Sequence, residues 1–467
     1  MGWVEAVANL KLSLVFALCA CLIAGGAPTS AAPSGGTFGP AIDAPHYEGQ
    51  ERCSPKAKPG VLAFQSMVLV TYPGTGAGSI SRDCSVGGTS EHKEGRAWDW
   101  GVAASDKSDV ASVDDLLEWL LKDDRYGNDA ALARRLGIMY LIWNKRMWST
   151  WDGWETYCEM KKGECRDPES KSVLHPHTDH VHFSFTWAGA KKETTFWNPN
   201  RSYLASFASA SDGSGHWAAG ANGSILVAGD AGFYGSKNDV FLKQPIVDIA
   251  ATPSGYGYWL TNSKGKVFPF GDASKKRPDT KMQVAGIAST DTGKGYWLAS
   301  TQGRVAAVGD AEKFDKLAEE GVKVTDIAST LTGEGYWLFA DDGRVFPYGD
   351  AGFFGGAAEA DLEHPIVSGA NYLNEGYWMV TDHGRVFAFG DARMHGDLTD
   401  KELTLPVIGM APTPTGEGYW LLTAGGRVFD FGDARVFPMA SPKIQDSDIY
   451  TSELKEEGGQ VPSLLLD

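Results

Sequence analysis

Residues 257–273 read GYWLTNSKGKVFPFGDA. An aromatic pair opens a strand-like run, a polar turn ending in glycine interrupts it, and a second apolar run closes on Gly-Asp. Two short strands joined by a tight turn are the simplest reading. The pattern recurs at 215–231, 295–311, 335–351, 376–392 and 418–434. Its tryptophans are Trp217, Trp259, Trp297, Trp337, Trp378 and Trp420, and each is followed 13 residues later by an aspartate: Asp230, Asp272, Asp310, Asp350, Asp391 and Asp433. The fixed offset marks a rigid unit, while spacings of 38 to 42 residues between units place the variation in the connections. A further strand-like segment, such as PIVDIAATPSG or PVIGMAPTPTG, precedes each unit, and SYLASFASASDG supplies it for the first. Six units of about 40 residues with three or four strands each predict an all-β six-bladed propeller over 203–440. An open β-solenoid or paired hairpins are the alternative. The repeated Trp is expected in inter-unit packing, and the repeated Asp as a turn former bonding its own backbone. One Asp per unit does not make a calcium site.

Outside the repeats the chain changes character. Lys11 precedes the apolar stretch LSLVFALCACLIAGGA, and PTSAAP follows, so 1–32 reads as a signal peptide cleaved after Ala31 or Ala32. The apolar stretch is short of the roughly 20 residues that span a bilayer; an uncleaved anchor is the alternative, and Leu18-Cys19-Ala20-Cys21 only faintly resembles a lipidation site. Residues 33–50, rich in Gly, Pro and Ala, read as a linker. The acidic, aperiodic tail 441–467 reads as disordered. A formal charge of −17 excludes a nucleic-acid partner. After signal cleavage four cysteines remain, and in an exported chain they predict disulfides; sequence proximity favours Cys53–Cys84 and Cys158–Cys165 among three pairings.

Residues 51–202 read as an α+β domain. GVLAFQSMVLVTY is a helix or strand, SVDDLLEWLLK a helix capped by Ser112, NDAALARRL a second helix, GIMYLIWN a buried strand and HVHFSFTW an alternating strand. Within it, SEHKEGRAWDW (90–100) and HPHTDHVH (175–182) concentrate chemistry. Alone, His92 and Asp99 form a plain polar pair in a turn. His180 and His182 flank Val181, so in a strand they share a face. With His92 and Asp99 they make a donor set suited to Zn2+. His175 and His177 are expected in an exposed loop, and Trp143, Trp148, Trp151 and Trp154 in the core rather than along a groove.

Ser90-x-His92-x-x-Gly95-x-Ala97-x-Asp99 resembles the S-x-H-x-x-G-x-A-x-D signature of D-Ala-D-Ala carboxypeptidases and dipeptidases. The later H-x-H is similar to that of the wider zinc group joining lysostaphin-type enzymes, D-alanyl-D-alanine metallopeptidases and hedgehog domains. The resemblance covers roughly 51–200 and implies His92, Asp99 and His182 as zinc ligands. It implies a base at Asp179, where the D-Ala-D-Ala branch has a glutamate one methylene longer, or at His180, as in the lysostaphin branch. The GYW…GDA array resembles appendages of secreted actinobacterial proteins. The expected protein is therefore a secreted or wall-associated zinc peptidase, D-Ala-D-Ala carboxypeptidase-like or endopeptidase-like, acting on cell-wall peptide. The expected partners are cell-wall peptide or glycan, with no membrane contact after signal cleavage. The rival is a non-catalytic binding protein with a hedgehog-like zinc module.

Overall fold

The computed structural model describes residues 33, 37–168, 170–278, 281–315, 319 and 321–440. The signal peptide with Cys19 and Cys21, and the acidic tail, lie outside the described residues. The described chain is mostly β-structure in small antiparallel sheets.

In the N-terminal part the strands are β1 (Ala97–Gly101), β2 (Ile138–Trp143), β3 (Arg146–Ser149), β4 (Gly153–Thr156), β5 (Glu159–Lys161), β6 (Glu164–Arg166), β7 (Val173–Leu174) and β8 (His180–Phe185). One sheet runs β1-β8-β2-β3-β4 and a small one β5-β6-β7. GVLAFQSMVLVTY forms helix α1 (Pro59–Thr71), started by a proline in its first turn. Val61, Phe64 and Val68 bury its inner face, and the Phe64 ring meets the edges of Trp98, Phe183 and Phe185 at 5.2–5.8 Å. Gly60 is required there, because a Cβ would stand 2.0 Å from the Gly189 carbonyl. Helix α2 (Lys107–Leu121) begins nearly two turns earlier than a cap at Ser112 would place it. Its N-cap is Asp106, whose carboxylate accepts from the amides of Ser108 and Asp109. Ser112 is an interior residue donating back to the Ser108 carbonyl. Asp106 takes the cap because α2 runs back past Ser112, with Val110 packed against the core. Both expected disulfides form, Cys53–Cys84 and Cys158–Cys165, with Cα atoms 5.8 and 5.4 Å apart. Trp143 and Trp148 are buried, whereas Trp154 is half-exposed beneath the Arg146 guanidinium.

The repeats form six three-stranded antiparallel sheets. The first strands are Leu204–Ser209, Ile246–Ala251, Val284–Ser289, Val324–Ser329, Ile366–Tyr372 and Val407–Pro412. Each lies beside the next, and the sixth lies beside the first. Ala440 returns to bridge Val227 in the outer strand of the first sheet. All six tryptophans are buried, and each indole N–H donates to the carbonyl 15 residues on, from Trp217 to Gly232 (2.7 Å) through Trp420 to Arg435 (2.7 Å). The tyrosine before Trp reaches back to the preceding sheet: Tyr258 Oη donates to the Gly235 carbonyl at 2.6 Å and Tyr296 to Lys276 at 3.0 Å. In the first sheet this position is His216, fully buried against Phe207, Trp420 and Phe437, with neither ring nitrogen hydrogen-bonded among the described residues.

The repeated aspartate does more than expected. Asp272 accepts from the hydroxyls of Thr252 (2.9 Å) and Ser254 (2.6 Å), and Asp433 from Thr413 (2.8 Å) and Thr415 (2.6 Å). In the four repeats with T-x-[ST]-G it clasps the preceding strand connection, because that motif places hydroxyls over the end of the third strand, and Asp310 and Asp433 also bond their own backbone.

Each first strand carries one bulge residue that slips the register. The residues just after these bulges are Ser206, Asp248, Gly286, Asp326, Ser368 and Gly409, and all of them except Gly286 line a cavity of about 190 Å³ among the six strands. Burial, reinforced by the Asp326 charge, pushes the Asp248 carboxyl up, and burial likewise raises Asp326.

Of residues 33–50, expected as a linker, the described ones carry no helix or strand, yet 39–43 are buried between the two parts. Arg135 donates to the carbonyls of Ala41 (2.7 Å) and Gly39 (2.8 Å), while Asn222 and Asn238 donate to Ile42 at 3.0 and 2.7 Å.

Candidate metal centre

SEHKEGRAWDW, a polar turn on paper, folds inward. Glu91–Glu94 form one 3-10 turn in which Glu91, His92, Lys93 and Glu94 are all buried. Ser90 caps it, and Gly95 ends it at φ 65°, where a Cβ would lie 2.2 Å from the Lys56 carbonyl. Arg96 pins the turn from below, donating to Glu94 at 2.7 Å and to the Phe185 carbonyl at 2.8 Å. The strand that follows alternates: Trp98 and Trp100 enter the core, leaving Asp99 on the other face. β8 does the same, with Val181, Phe183 and Phe185 inward and His180, His182 and Ser184 opposite. Asp99 and His182 are direct cross-strand partners.

His92 Nε2, Asp99 Oδ1 and His182 Nδ1 thus converge, at 3.1 Å (His92–Asp99), 3.0 Å (His182–Asp99) and 3.3 Å (His92–His182). An ion held tetrahedrally about 2.05 Å from each donor needs donor separations of about 3.3 Å, so the three fit zinc with little movement. The outward atoms are occupied. His92 Nδ1 faces the Ile80 carbonyl at 3.1 Å, His182 Nε2 faces Ser184 Oγ at 3.1 Å, and Ser79 donates to Asp99 Oδ2 at 3.0 Å. A carbonyl only accepts, so His92 Nδ1 carries the proton and Nε2 presents a lone pair to a carboxylate. Two lone pairs 3.1 Å apart require a cation or an added proton between them. Behind this layer Tyr140 donates to Glu91 at 2.8 Å, next to Ser184. This outer shell fixes ring orientation as metal ligands need.

Burial alone would raise the Asp99 carboxyl; its contacts with the His182 and His92 imidazoles outweigh it and hold it well below the usual range. Burial lowers His182 against the opposing pull of Asp99. His177, expected in an exposed loop, is buried, at φ 47°, with its ring centroid 4.8 Å from that of His180. Burial, then the neighbouring imidazoles, push it down to about 3. His175 is exposed. His180 Nε2 stands 3.6 Å from Asp99 Oδ1, and His180 Nδ1 is 2.9 Å from Asp179, whose carboxylate is largely solvent-exposed. Asp179 therefore touches His180 rather than the three-donor centre.

Sequence reasoning missed Ser79, Ile80, Glu91, Tyr140 and Ser184. Ser184 was findable, being two residues beyond His182 on an alternating strand; the Ile80 carbonyl carries no sequence signal.

The class of arrangement is a two-histidine, one-carboxylate centre on the open face of an antiparallel sheet, buttressed by a second layer of hydrogen bonds. Residues 53–164 match the family model described as VldE, C-terminal domain. That span contains His92 and Asp99 and ends before His182. No curated protein matches the chain.

Proposed function

We propose that this protein is an exported zinc-dependent peptidase that hydrolyses peptide bonds of bacterial cell-wall stems. The observation that carries the reading is the convergence of His92 Nε2, Asp99 Oδ1 and His182 Nδ1 within 3.3 Å of one another. These residues would hold zinc, which when bound supplies a Lewis acid and a water acidified to near neutrality. His180 Nε2, facing the same centre, is the base that takes a proton from the attacking water and returns it to the leaving amine. Asp179 positions that imidazole through Nδ1. The choice of wall peptide rests on the resemblance of the S-x-H-x-x-G-x-A-x-D stretch.

The repeats are read as a closed six-bladed propeller that engages wall glycan or peptide. The side-by-side first strands, the neighbouring sixth and first, and the Ala440–Val227 bridge support closure. Two disulfides support an oxidising, extracellular location. No helix among the described residues is long and apolar enough to cross a membrane.

The test is metal content and wall-peptide cleavage by purified residues 33–467. Release of free amines and one zinc equivalent held by His92, Asp99 and His182 are expected, both lost in His92→Ala. His180→Ala should keep the metal while losing about 10²–10⁴ in rate. Cleavage surviving His92→Ala, or a metal content that His92→Ala leaves unchanged, returns the domain to the non-catalytic rival.

A further inference from the structure

A second cluster of metal-ligating side chains lies in the fifth repeat, far in sequence from the proposed catalytic centre. His364 stands two residues before the strand Ile366–Tyr372, and Asp382 and His383 form the turn between Gly376–Thr381 and Val386–Gly390. Both imidazoles aim Nδ1 at one oxygen: His383 Nδ1 lies 2.8 Å and His364 Nδ1 3.3 Å from Asp382 Oδ1. The rings stack with centroids 3.3 Å apart. Donor atoms of all three residues lie within 4.8 Å of one another.

The frame beneath is rigid. The Asp382 amide donates to the Pro365 carbonyl at 3.1 Å, which ties the turn to the start of the first strand. The same bond occurs in every sheet, for example from Ser263 to Pro245 (3.0 Å) and from Ala424 to Pro406 (2.9 Å). The repeat architecture thus fixes the backbone at this corner six times, but it does not call for these side chains. The second sheet has Gln244, Ser263 and Lys264 there, and the sixth has Leu405, Ala424 and Gly425. Packing does not demand the histidines either, because all three side chains are partly solvent-exposed.

We infer that His364, Asp382 and His383 form a second metal site, selective for a late divalent transition ion of the zinc class. Two imidazole nitrogens and one carboxylate oxygen suit zinc, nickel or copper, whereas calcium and magnesium prefer all-oxygen sets. Three protein ligands at an exposed corner leave the remaining positions to water or to a donor from a bound partner. The site goes beyond the peptidase reading and does not depend on it.

The probe is zinc alone, titrated calorimetrically into the metal-free full chain. His364→Ala/His383→Ala should take up one equivalent fewer than wild type, and His92→Ala should retain the equivalent that the double variant loses. Equal uptake by wild type and the double variant overturns the site, whatever His92→Ala does. Should the double variant misfold, zinc-edge anomalous diffraction from zinc-saturated wild-type crystals decides: a peak bonded to both His364 and His383 supports the site, and its absence overturns it.

Discussion

Acidification should loosen the repeats at one seam, where the sixth sheet meets the first, and His216 is the cause. Its imidazole is fully buried among Phe207, Trp420 and Phe437, with no hydrogen-bond partner for either nitrogen among the described residues. Burial holds it neutral and pushes its pKa from 6.5 down to about 4. Between those values the unfolded chain binds a proton that the folded chain refuses. Stability therefore rises with pH across that window, and it is lost as pH falls from about 6.5 towards 4. At about 1.4 kcal/mol per pH unit, the loss approaches 3 kcal/mol. For a domain of some 200 residues this is a fall in melting temperature of roughly 6–12 °C. Asp43, Asp248 and Asp326, whose carboxyls burial pushes up, work in the opposite direction. The quantity to read is therefore the difference between wild type and His216→Phe, which keeps an aromatic ring and removes the titration. Thermal unfolding followed by calorimetry from about pH 7.5 to about pH 4 should show the wild type losing stability faster. Parallel profiles for the two proteins would refute the reasoning.

Other consequences can be checked with single substitutions. Gly95→Ala forces a Cβ at φ 65° to within 2.2 Å of the Lys56 carbonyl; it should cost about 1–3 kcal/mol and weaken zinc binding, measured by thermal melts and titration. Breaking Cys53–Cys84, which closes a 31-residue span, should cost about 3–4 kcal/mol in denaturant unfolding, against about 2–3 for the seven-residue span of Cys158–Cys165. It should also lower zinc affinity more, since Ser79 and Ile80 lie inside that loop. Thr413→Val removes one hydroxyl from Asp433 and should destabilise the repeats by about 1 kcal/mol in urea, whereas an unchanged midpoint would remove the clasp from the account.

What could be read in the sequence follows from where the information sits. The six tryptophans and the three-strand units were legible because their spacing is a property of the local chain. Strand β8 was legible because HVHFSF alternates, and that alternation put His180 and His182 on one face. His92 and Asp99 were legible only through the full motif, since the spacing alone reads as a polar turn. The burial of Glu91 to Glu94 was hidden, because Arg96 and the distant Tyr140 compensate it. Asp106 displaced Ser112 as the cap because helix length depends on tertiary packing. The clasp on Asp433 depends on hydroxyls 18 and 20 residues earlier, beyond the reach of turn rules. The burial of 39–43 was unreadable, because its own backbone carbonyls are the acceptors and the donors are side chains far along the chain.

That strand-free segment has a bearing on the order in which the protein can mature. Ile42 leaves the ribosome early, but the amides that satisfy its carbonyl belong to Asn222 and Asn238, 180 and 196 residues later. The N-terminal part can close its own core and disulfides before then, and Arg135 can hold Gly39 and Ala41, while the Ile42 carbonyl waits for the first repeat. Docking of the two halves is thus a late step of biogenesis, gated by two asparagines. Asn222→Ala with Asn238→Ala should leave each half folded but slow to reach the protease-resistant state of the intact chain.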